Sequence, residues 1–428
     1  MPVVKPVSKY AKVAGTAELV AEAAENIQVG DAVAVRRRFG ETLIKSFSTS
    51  SKVLCAAYTP DNTKLLVGTY DKKLTVYKAS NYSSASSIEL PGIPRVLVVK
   101  PDSTHAAILL TGTSKPDGSS YGSTQHNTIC VYDVATLELL WWHDMGEAGT
   151  ETLPPCSALA YSSKGRYLAA SNINAKSITI FNATNVSYTE APSPVGFQVS
   201  QPAVNSFAYS RDDSLMAIAY SGYIGLYDTT GEYPLEVAFV KASNTVSPTA
   251  EHTWSYMLFN EDSTRLYHAL QNSGDSRGYF TGYEVTRSSI TTLPNHEVYS
   301  SNSGLVCAFT PDAVHVLESF SKDFDPRAAH NMLHIACVEP ISEHVADLPG
   351  NGIATDRISY ALFEPSGASF VLFGCALSSP ESAGTAYVYS CKKYLYKASI
   401  DNTKSAVSVG YATSSSKAGS NGAISILY

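Results

Sequence analysis

The sequence predicts an all-β fold in which one short phrase of three strands is repeated along the chain. The phrase is clearest in residues 53–79, where polar turns separate the apolar runs VLCAAY, LLVGTY and LTVY. The same order of elements returns six more times, at a spacing of roughly 50 residues. Because strands this short recur without a helical period between them, the pattern indicates a β-propeller of four-stranded blades.

In each copy, the first strand ends at an aromatic or aliphatic residue that is followed by a tight polar turn. These end residues are Tyr58, Val99, Tyr161, Tyr209, Phe259, Phe309 and Phe363. Asp, Ser and Gly recur in the turns because their side chains either bond the nearby backbone or relieve its steric limits. The third strand ends in an apolar-x-apolar-aromatic pattern, which is seen at Tyr77, Tyr132, Phe181, Tyr227 and Tyr389.

The two ends of the chain predict how the array is closed. Three further apolar runs follow Tyr389, in residues 394–400, 406–411 and 423–428, and they make an incomplete eighth unit. A hairpin in residues 31–47 has the strands to complete it. We therefore predict eight blades in a ring that is closed by N- and C-terminal strands, which removes open sheet edges. Seven blades, with the C-terminal hairpin packed elsewhere, are the alternative.

The predicted domain organisation is an N-terminal arm, residues 1–26, and a β-propeller, residues 27–428. The arm lacks the repeat phrase and is rich in Val, Lys and Ala. Its residues 16–25 fit either a short helix capped by Thr16 or an extended segment. A flexible tail and a docking arm are both open as interpretations of residues 1–26.

The composition restricts the classes of partner. Only 16% of the 428 residues are charged and the net charge is −7, which argues against a nucleic-acid partner because such proteins carry a basic stripe. No apolar run approaches the roughly 20 residues that span a bilayer. The seven cysteines are dispersed without a CxxC spacing, which suits a reducing compartment better than a disulfide framework. We therefore expect no membrane span and synthesis in a cytoplasm.

The sequence contains no combination of residues that predicts catalysis, a cofactor or a metal. Residues 118–122 match the G-x-S-x-G pattern around Ser120, but no helix follows, as a nucleophile elbow requires. His330 and His334 lie four residues apart in a strand-like run, a spacing that separates them by about 13 Å. Residues 323–327 lack the Gly and the final Glu of a calcium loop. The chain is therefore predicted not to be an enzyme.

Five residues are candidates for contacts with a partner. Arg36, Arg37 and Arg38 form a concentrated basic patch, which either decorates a strand edge or meets an acidic surface. Tyr121 lies in the longest departure from the repeat, residues 112–128. Trp142 follows Trp141 in a predicted fourth strand, where neighbouring side chains alternate between the two faces. Core packing of both tryptophans is the alternative to an interface anchor.

The repeats from Val53 to Tyr389 resemble those of WD-repeat and related β-propellers, in the polar turn after the first strand and the aromatic end of the third. They depart from that family because no copy has the opening Gly-His or the closing Trp-Asp; Tyr132-Asp133 and Tyr227-Asp228 come nearest. A second stretch, ENIQVGDAVAV in residues 25–35, resembles an N-terminal phrase of tailed-phage structural proteins. The first resemblance implies a divergent propeller and the second a component of a virion.

Together these features predict a non-enzymatic structural or adhesion protein, associated with a phage capsid or tail. Its partners would be other structural proteins of the assembly or a host-surface ligand, and its location the virion, assembled in the host cytoplasm. One alternative is an intracellular, cytoplasmic WD-repeat-like scaffold that binds peptides. Another is a propeller hydrolase or lactonase with a metal in its central channel, which would need acidic side chains that converge there.

Overall fold

The computed structural model of the chain describes residues 17–23, 32–148, 159–172, 177–185, 188–190, 204–220, 223–231, 235–241, 252–272, 278–297, 305–311, 313, 315–321, 331–337, 344–348, 356–376, 383–397, 408–412 and 421–426. The chain divides into two compact units. One unit combines Met1–Thr42 with Ser390–Tyr428, and the other is Leu43–Tyr389.

The described residues form strands joined by turns and loops. In chain order the strands are β1 (Ala17–Ala23), β2 (Ala32–Thr49), β3 (Val53–Tyr58), β4 (Lys64–Thr69), β5 (Lys73–Lys78), β6 (Ser84–Glu89), β7 (Ile93–Val99), β8 (His105–Gly112), β9 (His126–Asp133), β10 (Leu139–Glu147), β11 (Leu159–Tyr161), β12 (Tyr167–Asn172), β13 (Ser177–Asn182), β14 (Thr189–Glu190), β15 (Val204–Tyr209), β16 (Leu215–Tyr220), β17 (Tyr223–Asp228), β18 (Leu235–Lys241), β19 (His252–Phe259), β20 (Arg265–Asn272), β21 (Gly278–Thr286), β22 (Ser289–Glu297), β23 (Leu305–Phe309), β24 (His315–Ser321), β25 (Asn331–Cys337), β26 (His344–Leu348), β27 (Asp356–Phe363), β28 (Ser369–Ala376), β29 (Gly384–Lys397), β30 (Ser408–Ala412) and β31 (Asn421–Ile426).

The unit Leu43–Tyr389 is a series of four-stranded antiparallel sheets. Six of them each contain four consecutive strands that pair in chain order: β3 to β6, β7 to β10, β11 to β14, β15 to β18, β19 to β22 and β23 to β26. The remaining strands of this unit pair in the order β2-β29-β28-β27. Only residues 43–49 of β2 and 384–389 of β29 belong to this unit, and the rest of these two strands belongs to the other unit. The prediction of an all-β fold with four-stranded antiparallel sheets is therefore confirmed.

The unit that combines the two chain ends is also built from strands. β1 pairs antiparallel with β31, from Ala17 opposite Ile426 to Glu22 opposite Asn421. β31 pairs with β30, and β30 pairs with the start of β2. The predicted hairpin in residues 31–47 is wrong, because β2 runs through these residues as one continuous strand.

Residues 17–23 therefore form a strand. Of the helix and the extended segment that the sequence allowed here, the extended segment is observed. Pairing with β31 provides hydrogen-bond partners for the backbone N–H and C=O groups of these residues. Their intrinsic propensity alone does not decide between helix and strand.

The turn between the first two strands has the same backbone geometry in all seven repeats. Its third residue has a positive φ, between 54° and 69°, and donates its N–H to the carbonyl three residues earlier. An aspartate often stabilises the turn: Asp61 Oδ1 accepts the N–H of Thr63 at 3.1 Å and its hydroxyl at 2.9 Å. The residues with positive φ are Asn62, Ser103, Gly165, Asp213, Ser263, Ala313 and Gly367.

The core consists of apolar clusters that lie between neighbouring sheets. Adjacent residues of one strand enter different clusters because successive side chains of a strand point to opposite faces. Leu66 packs against the second sheet with Ile108, whereas Leu65 packs with Val371 and Phe373 of β28, and both leucines are fully buried. Cys55 and Cys130 belong to the first of these clusters, and burial raises the pKa of each thiol to about 12. These two cysteines are core residues.

The last part of β2 joins the cluster between the first sheet and β28. The half-buried ring of Phe47 lies 4.7 Å from the ring of Tyr77 and 6.4 Å from that of Phe373, measured between centroids. It also stacks on Tyr82 at 5.5 Å. One aromatic side chain near the N-terminal end of this unit therefore contacts strands from both ends of it.

Substitution of Gly165 tests the turn geometry. Gly165→Val is expected to lower the free energy of unfolding by about 2 kcal/mol, because a β-branched residue is strongly disfavoured at positive φ. Gly165→Asn is the matched control and should cost about 1 kcal/mol or less, because Asn tolerates this conformation and occupies the same position in the first turn, at Asn62. Urea unfolding measures both; equal losses would contradict the assigned backbone geometry.

Substitution of Phe47 tests the packing of β2. Phe47→Ala should lower the free energy of unfolding by about 2 kcal/mol, less than the 3 to 5 kcal/mol of a fully buried phenylalanine because the ring is half-buried. Leu43→Ala on the same strand removes a side chain that is 48% exposed, so its effect should stay within about 0.5 kcal/mol. A Phe47→Ala variant as stable as Leu43→Ala would show that β2 does not contribute to this cluster.

Candidate interaction surface

The three arginines predicted to form a basic patch lie in β2, in the unit that contains both chain ends. The conformations of the Arg36, Arg37 and Arg38 side chains fall outside the described part of the structure. Their role at an acidic surface stays a prediction. His330 and residues 323–327 also lie outside the described residues.

Trp141 and Trp142 point to opposite faces of β10, as the alternation predicted. Trp142 is half-buried and packs against the cluster between the first and second sheets. Trp141 packs against the cluster between the second and third sheets, where its ring lies 5.0 Å from Phe181 and 5.3 Å from Tyr188. Both tryptophans therefore contribute to the core, and an additional role of Trp142 at an interface stays a prediction.

Tyr121 lies in an ordered loop between β8 and β9, residues 113–125, which we call the β8–β9 loop. The Tyr121 N–H donates to the Thr113 carbonyl at 2.8 Å, and its hydroxyl lies 3.1 Å from Thr128 Oγ1. Its ring stacks on His126 with centroids 4.0 Å apart, while Lys115 Nζ lies 5.1 Å from the ring centroid. Burial raises the pKa of the Tyr121 hydroxyl.

Other polar contacts hold the β8–β9 loop in one conformation. His126 Nδ1 lies 3.0 Å from Asp144 Oδ1, and Asp117 Oδ1 accepts the N–H and the hydroxyl of Ser119. Ser120 Oγ donates to the Thr113 carbonyl at 3.1 Å and accepts the Gly122 N–H at 3.0 Å. Ser120 is thus an exposed loop residue with structural hydrogen bonds, in agreement with the absence of a nucleophile elbow.

A β-bulge recurs near the start of the first strand of several sheets. In four of them the extra residue lies four positions before the residue that ends the strand. Bulges change the direction of a side chain relative to the regular alternation of a strand. Of these four residues, one is charged, Arg95. The extra residues are Leu54, Arg95, Asn205 and Ser359.

Arg95 is half-buried beside the β8–β9 loop. Its Nε donates to Thr111 Oγ1 at 3.4 Å, a long hydrogen bond, and Thr111 Oγ1 in turn donates to Asn127 Oδ1 at 2.9 Å. Burial lowers the pKa of the guanidinium, and the neighbouring Tyr70 and Cys55 oppose this effect. The backbone before Arg95 approaches the end of β8 closely, since a Cβ at Gly92 would lie 2.8 Å from the Thr111 carbonyl oxygen. Sequence reasoning missed Arg95 because its position at a bulge depends on strand register.

At the other end of the first strands, the seven turns contact one another. The Asp61 N–H donates to Ser103 Oγ at 3.1 Å, and the Lys164 N–H donates to Asp213 Oδ2 at 3.0 Å. Burial alone would raise the pKa of Asp212, but hydrogen bonds from Ser210 and Ser214 lower it to about 2. This end therefore carries ionised carboxylates that are already hydrogen-bonded within their own turns.

No group of three or more His, Cys, Asp or Glu side chains is placed so that it could hold a metal ion in the part of the chain that the structure describes. Within the same residues, no helix has the length and apolarity needed to cross a membrane.

Comparisons with known proteins identify the fold. No protein-family model and no curated protein matches the chain in sequence. Among solved structures, the chain is similar to the β-propeller domain of Cps50 (Swd1) from Myceliophteria thermophila, with a TM-score of 0.57 and 12% sequence identity over 82% of this chain and 99% of that domain. At this identity the likeness shows the fold alone. The predicted β-propeller is supported, whereas a similarity to phage structural proteins is not shown.

Proposed function

We propose that this chain is a non-enzymatic β-propeller that binds peptide segments of partner proteins. The observation that carries the proposal is the ordered β8–β9 loop, which holds Tyr121 half-exposed, while the half-buried Arg95 contacts Thr111 near the end of β8, two residues before the loop begins. Tyr and Arg are enriched among the residues that dominate binding energy at protein interfaces. A loop that is already fixed by its own hydrogen bonds loses little conformational entropy when it binds, which favours affinity.

We also infer that Leu43–Tyr389 is a closed ring of seven blades, the alternative to the eight-bladed ring. The contacts between strands of successive sheets support a ring because the last sheet contacts the first. β3 contacts β7, β7 contacts β11, β11 contacts β15, β15 contacts β19, β20 contacts β23, β23 contacts β27, and β27 contacts β3. In this arrangement residues 43–49 of β2 form the outer strand of the seventh blade, beside β29, β28 and β27.

Closure by β2 has a functional consequence. Each blade of a closed ring is covered on both faces, so the ends of the strands and their loops remain as the surfaces for partners. The ring would then act as a rigid platform on which the β8–β9 loop presents its side chains. Binding by surface complementarity on such a platform requires no catalytic residues.

The role in a phage virion remains a prediction, because it depends on the eleven residues of a short N-terminal phrase. A structural protein of a particle and a peptide-binding scaffold use the same interface chemistry. We favour the scaffold because the repeats supply the likeness to propellers over most of the chain. The hydrolase alternative would need converging acidic side chains, and we do not propose it.

A selection from a library of random dodecapeptides displayed on a carrier tests peptide binding by the purified chain. We expect enriched peptides whose binding is at least about tenfold weaker with Tyr121→Ala, the loss typical of an aromatic hot spot. Tyr121→Phe, which removes only the hydroxyl, should lose less. Phe239→Ala is the matched control, because Phe239 is an aromatic residue that is 65% exposed on β18, in another sheet.

Two outcomes would contradict the proposed function. One is the absence of any peptide enriched above the carrier alone. The other is an equal loss of binding in Tyr121→Ala and Phe239→Ala, which would show that the β8–β9 loop is not the binding surface. Thermal unfolding of each variant verifies that the loss does not come from a misfolded chain.

A further inference from the structure

Arg95 differs from Lys64, Lys73 and Lys100 of the first two sheets in what it contacts. Lys73 pairs with Asp71 at 3.2 Å, Lys100 pairs with Asp102 at 3.2 Å, and Lys64 donates to the Val134 carbonyl at 2.8 Å. Among the described residues, no carboxylate forms an ion pair with Arg95, and its hydrogen bond to Thr111 is 3.4 Å long. The guanidinium has five N–H donors, so most of them are available to a ligand.

Two carboxylates at the same end of the strands, Asp71 and Asp144, are already engaged by other groups. Asp71 accepts hydrogen bonds from Thr69 at 2.6 Å and from Ser50 at 3.1 Å, in addition to its pair with Lys73. Asp144 accepts the Gly146 N–H at 2.8 Å and lies against His126. Rotation of either acid toward Arg95 would therefore break existing bonds. An anion bound from solvent would supply a counter-charge without breaking them.

The position of Arg95 suits a ligand that arrives from solvent. Leu97 belongs to the core cluster between the first and second sheets. Arg95 is the extra residue of the bulge in β7, so its side chain does not follow the regular alternation of the strand. Tyr70, which is 39% exposed, lies beside it, and the β8–β9 loop with Tyr121 begins two residues after Thr111. A half-buried cation without an ion-pair partner is less stable than a paired one, and a bound anion would restore the missing interaction.

We propose that Arg95 is a specificity-determining residue that binds an anionic side chain of the partner segment, between Tyr70 and the β8–β9 loop. The proposal rests on the peptide-binding function and adds the chemical class of the ligand. A planar guanidinium forms two parallel hydrogen bonds with the oxygens of a carboxylate or a phosphate monoester. The ligand group is therefore an oxyanion, supplied by Asp or Glu or by a phosphorylated serine.

Four sets of immobilised random undecapeptides, with Glu, Gln, phosphoserine or Ser fixed at the central position, test this proposal. The wild-type chain should retain the Glu set or the phosphoserine set at least about tenfold better than its neutral counterpart, the size expected for a charge-assisted pair. A larger preference for phosphoserine over Ser than for Glu over Gln would identify phosphate as the source of the oxyanion. The opposite order would identify carboxylate.

Three variants assign the preference to Arg95. Arg95→Gln should abolish the difference between anionic and neutral sets. Arg95→Lys keeps the charge but loses the planar pair of donors, so part of the preference should remain. Lys78→Gln is the matched control, because it removes one positive charge from an exposed side chain at the far end of β5 and should leave the preference unchanged.

The results separate this proposal from the proposed function. If the wild-type chain binds neutral and anionic sets equally, or if a folded Arg95→Gln keeps the preference, the assignment to Arg95 is wrong while peptide binding stands. If no set binds at all, the proposed function itself is wrong, and this proposal falls with it. Should Arg95→Gln not fold, an undiminished preference in Arg95→Lys would overturn the bidentate geometry on which the assignment depends.

Discussion

The fold depends on the burial of both faces of a sheet by its neighbours, which the described residues show for the first four sheets. Leu65 and Leu66 are adjacent in the chain, fully buried, and part of different clusters, and Ile108 and Leu109 repeat the arrangement in β8. A single four-stranded sheet would expose both of these faces to water, at roughly 25 cal/mol for each Å² of apolar surface. Each sheet is therefore stable only between two others. This requirement explains why the repeats must continue along the chain and why a first and a last sheet benefit from mutual contact.

The same requirement confines variation to the ends of the strands. Residues within a strand are fixed by two clusters at once, so the loops are the places where the repeats can differ. The ends divide into two kinds. The seven turns after the first strands keep one geometry, and several bond the next turn, as Arg211 does through its N–H to Ser263 Oγ. The opposite strand ends carry the bulges and the β8–β9 loop, and there the repeats differ most.

Much of the architecture could be predicted from the sequence, because its signals are local. The turns, the third strands and the opposite orientations of Trp141 and Trp142 follow from patterns within a few residues. The structure of residues 17–23 could not be predicted, because AELVAEA suits a helix or a strand and the pairing with β31 decides. The number of blades has the same difficulty. Strands after Tyr389 look like further copies, although they belong to a separate unit with the N-terminal residues.

Only part of the candidate site could be predicted from local sequence patterns, because the rest depends on the register between strands. Tyr121 could be predicted because a long polar insertion is visible in the sequence. Arg95 is one charged residue in the run IPRVLVV, and alternation alone would not distinguish it from a strand residue at a sheet surface. Only the pairing of β7 with β8 makes it the extra residue of a bulge and brings it to Thr111. A bulge interrupts the ladder of hydrogen bonds, and the two clusters that hold the second sheet make this local loss tolerable. The rigidity of the core and the position of Arg95 at a bulge are thus connected, since the sheet tolerates the bulge because both of its faces are held by clusters.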